Sequence, residues 1–350
     1  MILIYFPTWK GMMRYEHGIS VVIAAHNGSA FIREQLHSLV AQTVPPLEII
    51  VSDDDSTDNT LEIVQEFVPS NNISIRIFRN SPALGFRDNF LRGALHARGH
   101  FVAFCDQDDI WDPRKIELCS RHIEDRAVSM IAHTALSVDA GNRVLRLFSQ
   151  GIQRDGVKPP LSYDPWLTFF GFSIVFRRDL LDLWDIEDRF TDFIVPSAMI
   201  AHDRWVTFLA QVVGQVVEID VPLVRYRQHG NNLFGDGTRV RHPRPSPRSA
   251  TGGSDPYRDA TAAMIRIVTR LPDATAGAFP LFDRDRAVGF LQRALHQLDE
   301  REAVYRSASR LEALKRLCAL VTSGTYRAVH DGNIRWRSIA RDLKFTLVRR

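Results

Sequence analysis

Three carboxylates fall within four residues at Asp106-Gln107-Asp108-Asp109, directly after the apolar run Phe101-Val-Ala-Phe-Cys105. Anions packed this closely repel one another unless a cation or a basic group lies between them, and hard oxygen donors suit Mg²⁺ or Mn²⁺. The same residues also read as an acidic turn capping a helix that starts near Arg114. A second cluster, Asp53-Asp54-Asp55-Ser56-Thr57-Asp58, follows the run Glu48–Ser52. A carboxylate there can accept the imide N–H of uracil or thymine, a donor that cytosine lacks; an aspartate-rich turn is the alternative. Ala201-His202-Asp203-Arg204-Trp205 opens an otherwise apolar helical stretch. Asp203 sits in its first turn, where the helix dipole favours the anion and partial burial raises its proton affinity toward that of a general base. An ordinary helix-opening aspartate would look the same. Gly85-Phe-Arg87-Asp-Asn89 places an arginine near a helix start, suited to phosphate or to a structural ion pair. Tyr226-Arg-Gln-His229-Gly-Asn-Asn232 gathers groups able to meet phosphate or metal, or forms a surface turn.

The elements that must carry these groups alternate. Ile19–Ala25, Glu48–Ser52, Ile73–Phe78 and Phe101–Cys105 read as buried strands. Ser29–Gln42, Ser56–Val68 (with Ser56 or Thr57 as N-cap) and Gly85–Ala97 read as helices between them. This is the pattern of an α/β domain with a largely parallel sheet. Ligands of such sheets bind beyond the carboxyl ends of the strands, and Ala25-His26-Asn27, the 53–58 cluster and the 106–109 cluster all fall there. Shorter strand candidates follow at Ser129–His133, Phe172–Arg177, Val216–Ile219 and Leu223–Tyr226, with a strong helix at His202–Val213. Gly235–Pro256 is rich in Gly, Pro, Ser and Arg and reads as a flexible linker. Helical patterns at 258–270, 284–299, 303–321 and 336–348 complete the chain.

The 350 residues are 45% hydrophobic and 24% charged, which excludes disorder throughout. No apolar run approaches the ~20 residues of a membrane span, and the first residues lack the order of a secretory signal. Three cysteines without a CxxC pair argue against a disulfide framework and a zinc knuckle, so a reducing cytoplasmic setting is expected. Residues 1–256 carry 26 basic and 31 acidic groups, whereas residues 257–350 carry 18 and 10, so the two parts are −5 and +8. Arginine supplies 39 of the 44 basic residues along the whole chain, which points to a general arginine bias rather than a nucleic-acid surface.

Taken together, Ile19-Ser-Val-Val-Ile-Ala-Ala-His-Asn27, Leu39-Val-Ala-Gln-Thr43, Glu48 to Asp58, Asp106-Gln-Asp-Asp-Ile-Trp111 and His202-Asp203 resemble the family 2 glycosyltransferases of GT-A fold. The combination of Asp-Gln-Asp-Asp-Ile-Trp with Tyr226 to Asn232 resembles their bacterial rhamnosyltransferase-like branch. The resemblance implies a Rossmann-like catalytic domain over 18–234, a linker over 235–256 and a basic helical extension over 257–350. It further implies that Ala25, His26 and Asn27 border the donor, that Asp54 holds the base, and that Arg87 faces phosphate. Asp106 would meet the ribose or the metal shell, Asp108 and His229 would bind Mg²⁺ or Mn²⁺, and Asp203 would be the catalytic base. Two departures are visible. His26 stands where the family often has Tyr, so base stacking would fall to His26, and Asp55 stands where it often has Gly. The implied reaction is inverting transfer of a sugar, with dTDP-L-rhamnose the first donor, to a glycan or lipid-linked acceptor. Another hexosyl transfer from a UDP-sugar, or non-catalytic binding of a nucleotide or polyanion, remain as alternatives. The tail, where Trp336, Ile339, Leu343, Phe345 and Leu347 alternate with basic groups, would dock on the inner membrane leaflet, on the catalytic domain or on a second copy.

Overall fold

The computed structural model describes residues 15–68, 72–229, 255–327, 329 and 332–348. The apolar runs become strands β1 (Glu16–Ala25), β2 (Glu48–Asp54), β3 (Ser74–Asn80) and β4 (Gly99–Asp106), all parallel to one another. Helices α1 (Ile32–Val40), α2 (Thr60–Phe67) and α3 (Phe86–Leu95) connect them. Alternation along each strand divides the apolar side chains between two cores. Val22, Ile50, Val102 and Phe104 face α3, whereas Val21, Ile23, Ile49, Val51 and Phe101 face the side of α1 and α2. Burial on both faces is why these strands read as continuous apolar runs. Helix α3 approaches the sheet at Gly93, where a Cβ would lie 2.7 Å from Val22 Cγ1.

After the short β5 (Ile110–Trp111) and α4 (Lys115–Ser120) come β6 (Val128–Asp139), β7 (Val144–Phe148), β8 (Gly156–Lys158), β9 (Ile174–Arg177), α5 (His202–Val213) and β10 (Gln215–Gln228). The sheet runs β3-β2-β1-β4-β9-β6-β10-β5, with β7 on β6 and β8 on β10. Strand β9 lies antiparallel between β4 and β6, while β6 and β10 are parallel, so the sheet is mixed but mostly parallel. The two expected strands at 216–219 and 223–226 are one strand, β10, whose register shifts around Pro222. Proline has no N–H to give the ladder, so the strand bulges there instead of ending.

The C-terminal helices are α6 (Pro256–Arg270), α7 (Thr275–Ala278), α8 (Arg284–Arg306), α9 (Arg310–Thr322) and α10 (Trp336–Val348). The expected helix at 303–321 is divided between α8 and α9. Ser309 accepts from the Glu312 N–H, and Glu312 accepts in turn from the Ala308 N–H, a reciprocal cap that starts a new helix. Helix α6 does not stand apart from the sheet. Its Ala263, Met264, Ile267 and Val268 join the same apolar core as Phe104 and Phe208, and Trp166 Nε1 donates to Thr261 Oγ1 at 3.1 Å. The linker expectation at 235–254 lies outside the described residues, as do Gly230, Asn231 and Asn232. Among the described residues no helix is long and apolar enough to cross a membrane.

Far from the strand ends that could bind ligands, one buried carboxylate ties the sheet together. Glu48, fully enclosed, accepts from Ser20 Oγ (2.9 Å), the Arg98 N–H (2.8 Å) and Arg76 Nη1 (2.9 Å). Burial pushes its carboxyl up, but the hydrogen bonds from Arg98, Arg76 and Ser20 outweigh this and leave it below its ordinary value. Glu48→Ala strands the Arg98 N–H and the Ser20 hydroxyl and is expected to cost about 1–3 kcal/mol in urea unfolding. The contribution is complete at neutral pH, above the unfolded carboxylate pKa, and disappears as pH falls through the depressed folded value. An unchanged unfolding midpoint in the variant would remove this role.

Candidate active site

The polar strand ends meet on one side of the sheet. At the end of β1, His26 is exposed, and its Nδ1 donates to the Asp54 carbonyl at 2.7 Å, while Asn27 Nδ2 lies 3.1 Å from its Nε2. A carbonyl can only accept, which puts the imidazole proton on Nδ1. With both ring nitrogens engaged, the ring face is what remains for stacking. Asn27, at φ 48°, accepts from the Thr57 N–H through its Oδ1. The β1 and β2 ends are thereby stitched together. Ser56 Oγ accepts from the Asn27 N–H, so neither Ser56 nor Thr57 caps α2; the helix begins later, and Asp58 serves the Thr60 N–H.

Gln107 holds the same strand end from the other side. Its Oε1 accepts from the His26 N–H (2.9 Å) and its Nε2 donates to the His26 carbonyl (3.0 Å). A Cβ on Gly28 would overlap this Gln107 side chain, so residue 28 must be glycine while the clamp is in place. Ala25, the last residue of β1, is buried, with its carbonyl 3.5 Å from Asn89 Nδ2.

Two of the expected donor-binding residues already have partners within the fold. Asp54 does not face an open site: it is 3% exposed and accepts from Asn80 Nδ2 (3.1 Å) and the N–H groups of Leu84 (2.7 Å) and Gly85 (2.7 Å). Its carboxylate anchors the loop that leads into α3, because a buried anion is stable only where donors surround it. Arg87 is likewise committed, to Asp192 Oδ2 at 2.6 Å and the Met199 carbonyl at 3.0 Å, with Arg204 on the same Asp192 oxygen at 2.6 Å. It forms the structural ion pair that the sequence offered as the alternative to a phosphate contact.

The acidic turn after β4 behaves differently. Asp106 is partly buried, and burial first, then the charges of Asp108 and Asp203, push its carboxyl up to about 8, against the lowering effect of Lys115. The shift brings Asp203, at the start of α5, into the same electrostatic field as Asp106 and Asp108, nearly a hundred residues earlier in the chain. Asp108 Oδ2 lies 2.7 Å from His229 Nε2, and the His229 ring stacks on Phe31 at 4.9 Å between centroids. Asp109 points inward: its Oδ1 accepts from the Arg227 N–H at 3.0 Å, and burial first holds its carboxyl well above the ordinary value. Of the three carboxylates it is the structural one. His202, beside Asp203, is 6% exposed, stacked on Phe90 at 4.1 Å, and lowered to about 4, chiefly by burial. A neutral, enclosed imidazole of that basicity is poorly placed to take a proton from a bound hydroxyl.

The structure commits Arg227, which the sequence placed in a motif able to meet phosphate or metal, to the fold, and it adds Lys115, to which the sequence assigned no role. Arg227 donates from Nε to the Asp108 carbonyl (2.8 Å), from Nη1 to the Ala140 carbonyl (2.9 Å) and from Nη2 to Glu34 (2.5 Å), bracing the acidic turn against β6 and α1. Lys115 is fully buried beneath that turn, with Nζ donating to the Phe172 carbonyl at 2.7 Å and lying 3.4 Å from the Trp111 ring centroid. Burial lowers it to about 8. The only sequence signal for Lys115 was a basic residue next to an acidic and aromatic motif.

Among the described residues no three His, Cys, Asp or Glu side chains form a ready-made metal cage. The chemistry of the donor set nevertheless fits a divalent cation held partly by the protein. Burial first, and then the charges of Asp108 and Asp203, keep Asp106 from ionising, which is the setting in which a cation would be welcome, and Asp108 with His229 lies beside it.

Residues 20–184 match the family described as Glycosyl transferase family 2. A Nostoc protein described as an uncharacterized glycosyltransferase is 24% identical over 61% of this chain and 66% of its own length. The Escherichia coli UDP-Glc:α-D-GlcNAc-diphosphoundecaprenol β-1,3-glucosyltransferase WfgD is 32% identical over 35% of this chain and 45% of its own. The chain spans 60% of the length of the mycobacterial relatives it matches. Among solved structures, S. aureus TarS 1–349 in complex with UDP-GlcNAc superposes with a TM-score of 0.53 at 17% identity, covering 94% of this chain and 89% of TarS 1–349. At that identity the likeness shows the fold.

Proposed function

We propose, for a chain whose residues 20–184 match glycosyl transferase family 2, that it transfers a sugar from a nucleoside diphosphate to an acceptor hydroxyl with inversion at the anomeric carbon. The observation that carries this reading is the convergence of Asp203 with Asp106 and Asp108 at the carboxyl edge of the sheet. The Asp203 carboxylate takes the acceptor proton as the hydroxyl oxygen bonds to the anomeric carbon. The bond from that carbon to the diphosphate oxygen breaks with its electron pair, and the nucleoside diphosphate leaves. One displacement without a covalent enzyme intermediate inverts the configuration, as in inverting glycosidases. The His26 face and the backbone of Ala25 and Asn27 border the nucleoside. Asp108 and His229 would hold a divalent cation, with Asp106 beside them; when bound, such an ion supplies charge neutralisation for the departing diphosphate.

The donor is proposed as dTDP-L-rhamnose on the likeness of the 106–111 and 226–232 motifs. The match to a relative named for UDP-Glc supports a UDP-hexose as the second reading. The acceptor is proposed to be a glycan or a lipid-linked saccharide. A screen of nucleoside-diphosphate release against dTDP-rhamnose, UDP-sugars and GDP-mannose, with Mg²⁺, Mn²⁺ or EDTA, is expected to single out one donor and to require a metal. Full turnover in EDTA would remove the metal from the reading. Tight nucleotide binding without release from any donor would favour a non-catalytic binding protein.

A further inference from the structure

Helix α10 divides its apolar side chains, with Ile339 and Phe345 packed inward, Phe345 against Tyr305 at 4.7 Å between centroids, and others left outside. Its inward side carries Asp342, 1% exposed, which accepts from Arg301 Nε (3.0 Å), Tyr326 OH (2.6 Å) and Tyr305 OH, and Thr346, 2% exposed. Its outward side carries Trp336 at 67% exposure, Leu343 at 37% and Leu347 at 58%, with exposed Ala340 in the same row. At about 100° per residue these four positions fall within roughly 60° of the helix circumference. Exposed Arg337, Arg341 and Lys344 form the adjoining row. A polar, hydrogen-bonded inner face fixes the orientation of the helix, because turning it over would bury the arginines and strand Asp342 without donors. Helix α9 packs against α10 through Leu317, Leu320 and Ile339 and exposes Leu311 at 64% and Val321 at 41%, with Lys315 nearby.

We infer that the outer face of α10 docks on an anionic lipid surface. Trp336, Leu343 and Leu347 enter the boundary between headgroups and acyl chains, and Arg337 and Lys344 meet the headgroup phosphates, while Arg341 pairs with Asp342 at 3.6 Å. The arrangement suits an interfacial helix: a narrow apolar row, a basic row at its edge, and an aromatic residue at the depth where indole is favoured. Charge selects this occupant over a second copy of the same face. Residues 257–350 carry 18 basic and 10 acidic groups, so two such faces repel each other while an anionic bilayer attracts either one. Docking on this surface is measured without turnover.

The test is flotation of the full chain with phosphatidylcholine vesicles, with and without phosphatidylglycerol, at low and high salt. Binding is expected only with phosphatidylglycerol and is expected to weaken with salt. Two variants, Trp336→Ser with Leu347→Ser and Arg337→Gln with Lys344→Gln, are each expected to lower the bound fraction roughly tenfold. Both change only exposed residues, so circular dichroism and nucleotide affinity should be unchanged. Trp336 emission should shift to the blue on anionic vesicles, a change absent in Trp336→Phe. Absence of vesicle binding, equal binding to neutral vesicles, or equal binding by the Trp336→Ser/Leu347→Ser variant overturns the inference. So does a concentration-dependent dimer in sedimentation that the same variant abolishes, since the face would then belong to a second copy.

Discussion

Asp203→Asn is expected to abolish sugar transfer while leaving donor affinity nearly unchanged. An amide cannot take the acceptor proton, and loss of a general base typically costs ~10²–10⁴ in rate. The substitution preserves size and keeps an oxygen to accept from the Arg204 N–H, which bonds Asp203 at 2.8 Å, so the start of α5 should be undisturbed. His202 is the nearest competitor for the role, but it is enclosed against Phe90 and Phe104 and lowered to about 4, mainly by burial. A residue so buried contributes to the seat of α5 rather than to the reaction. His202→Ala should therefore lower stability more than it lowers the rate of the folded fraction. Single-turnover transfer and calorimetric nucleotide binding on both variants separate the alternatives. Normal transfer by Asp203→Asn together with loss in folded His202→Ala would reverse the assignment.

Asp108→Asn should weaken Mn²⁺ binding in the presence of nucleoside diphosphate and lower turnover by about 10²–10³, the size of effect seen when one charge-stabilising group is removed from a reacting centre. The amide oxygen can still meet His229, so the stacking of His229 on Phe31 should persist and the loss would report charge rather than collapse. Proton linkage gives a second readout. In the metal-free protein Asp106 keeps its proton up to about 8, through burial first and then the charges of Asp108 and Asp203. Loading a cation displaces that proton, so Mn²⁺ affinity should rise as pH increases toward 8 and level off above it. Removing the Asp108 charge should lower the Asp106 value and flatten the dependence. Electron paramagnetic resonance of free Mn²⁺ across this pH range measures both effects. A variant with wild-type Mn²⁺ affinity would move the cation elsewhere.

Much of this protein was written locally. The runs at 19–25, 48–52 and 101–105 are apolar because both faces of their sheet are covered, and that burial marks a strand without any knowledge of its neighbours. The 336–348 pattern marks a helix by the spacing of its apolar residues, and the acidic groups at 106–109 and 203 stand out because carboxylates immediately after a buried strand or at a helix start need a purpose. Partnership was not local. Asp54 and Arg87 have the right residue types for a ligand, yet the loop at 80–85 and Asp192 claim them, and Asp192 is brought to Arg87 only when the 190–200 segment crosses α3. Gln107 reaches His26 across 81 residues because β1 and β4 pair in parallel with Ala24 beside Asp106. Strands β5, β7 and β8, of two to five residues, are too short for a period to declare itself, and exist because β6 and β10 offer them edges. The orientation of α10 belongs to the same class. Sequence shows two faces, one apolar and one polar, and the ordinary expectation is that the apolar one turns inward. Arg301, Tyr305 and Tyr326, contributed from other segments, surround Asp342 and leave Trp336, Leu343 and Leu347 outside, while Ile339 and Phe345 pack inward. Periodicity follows from the environment of each residue taken singly, whereas donor-to-acceptor matching depends on which segments cross, and only the folded chain decides that.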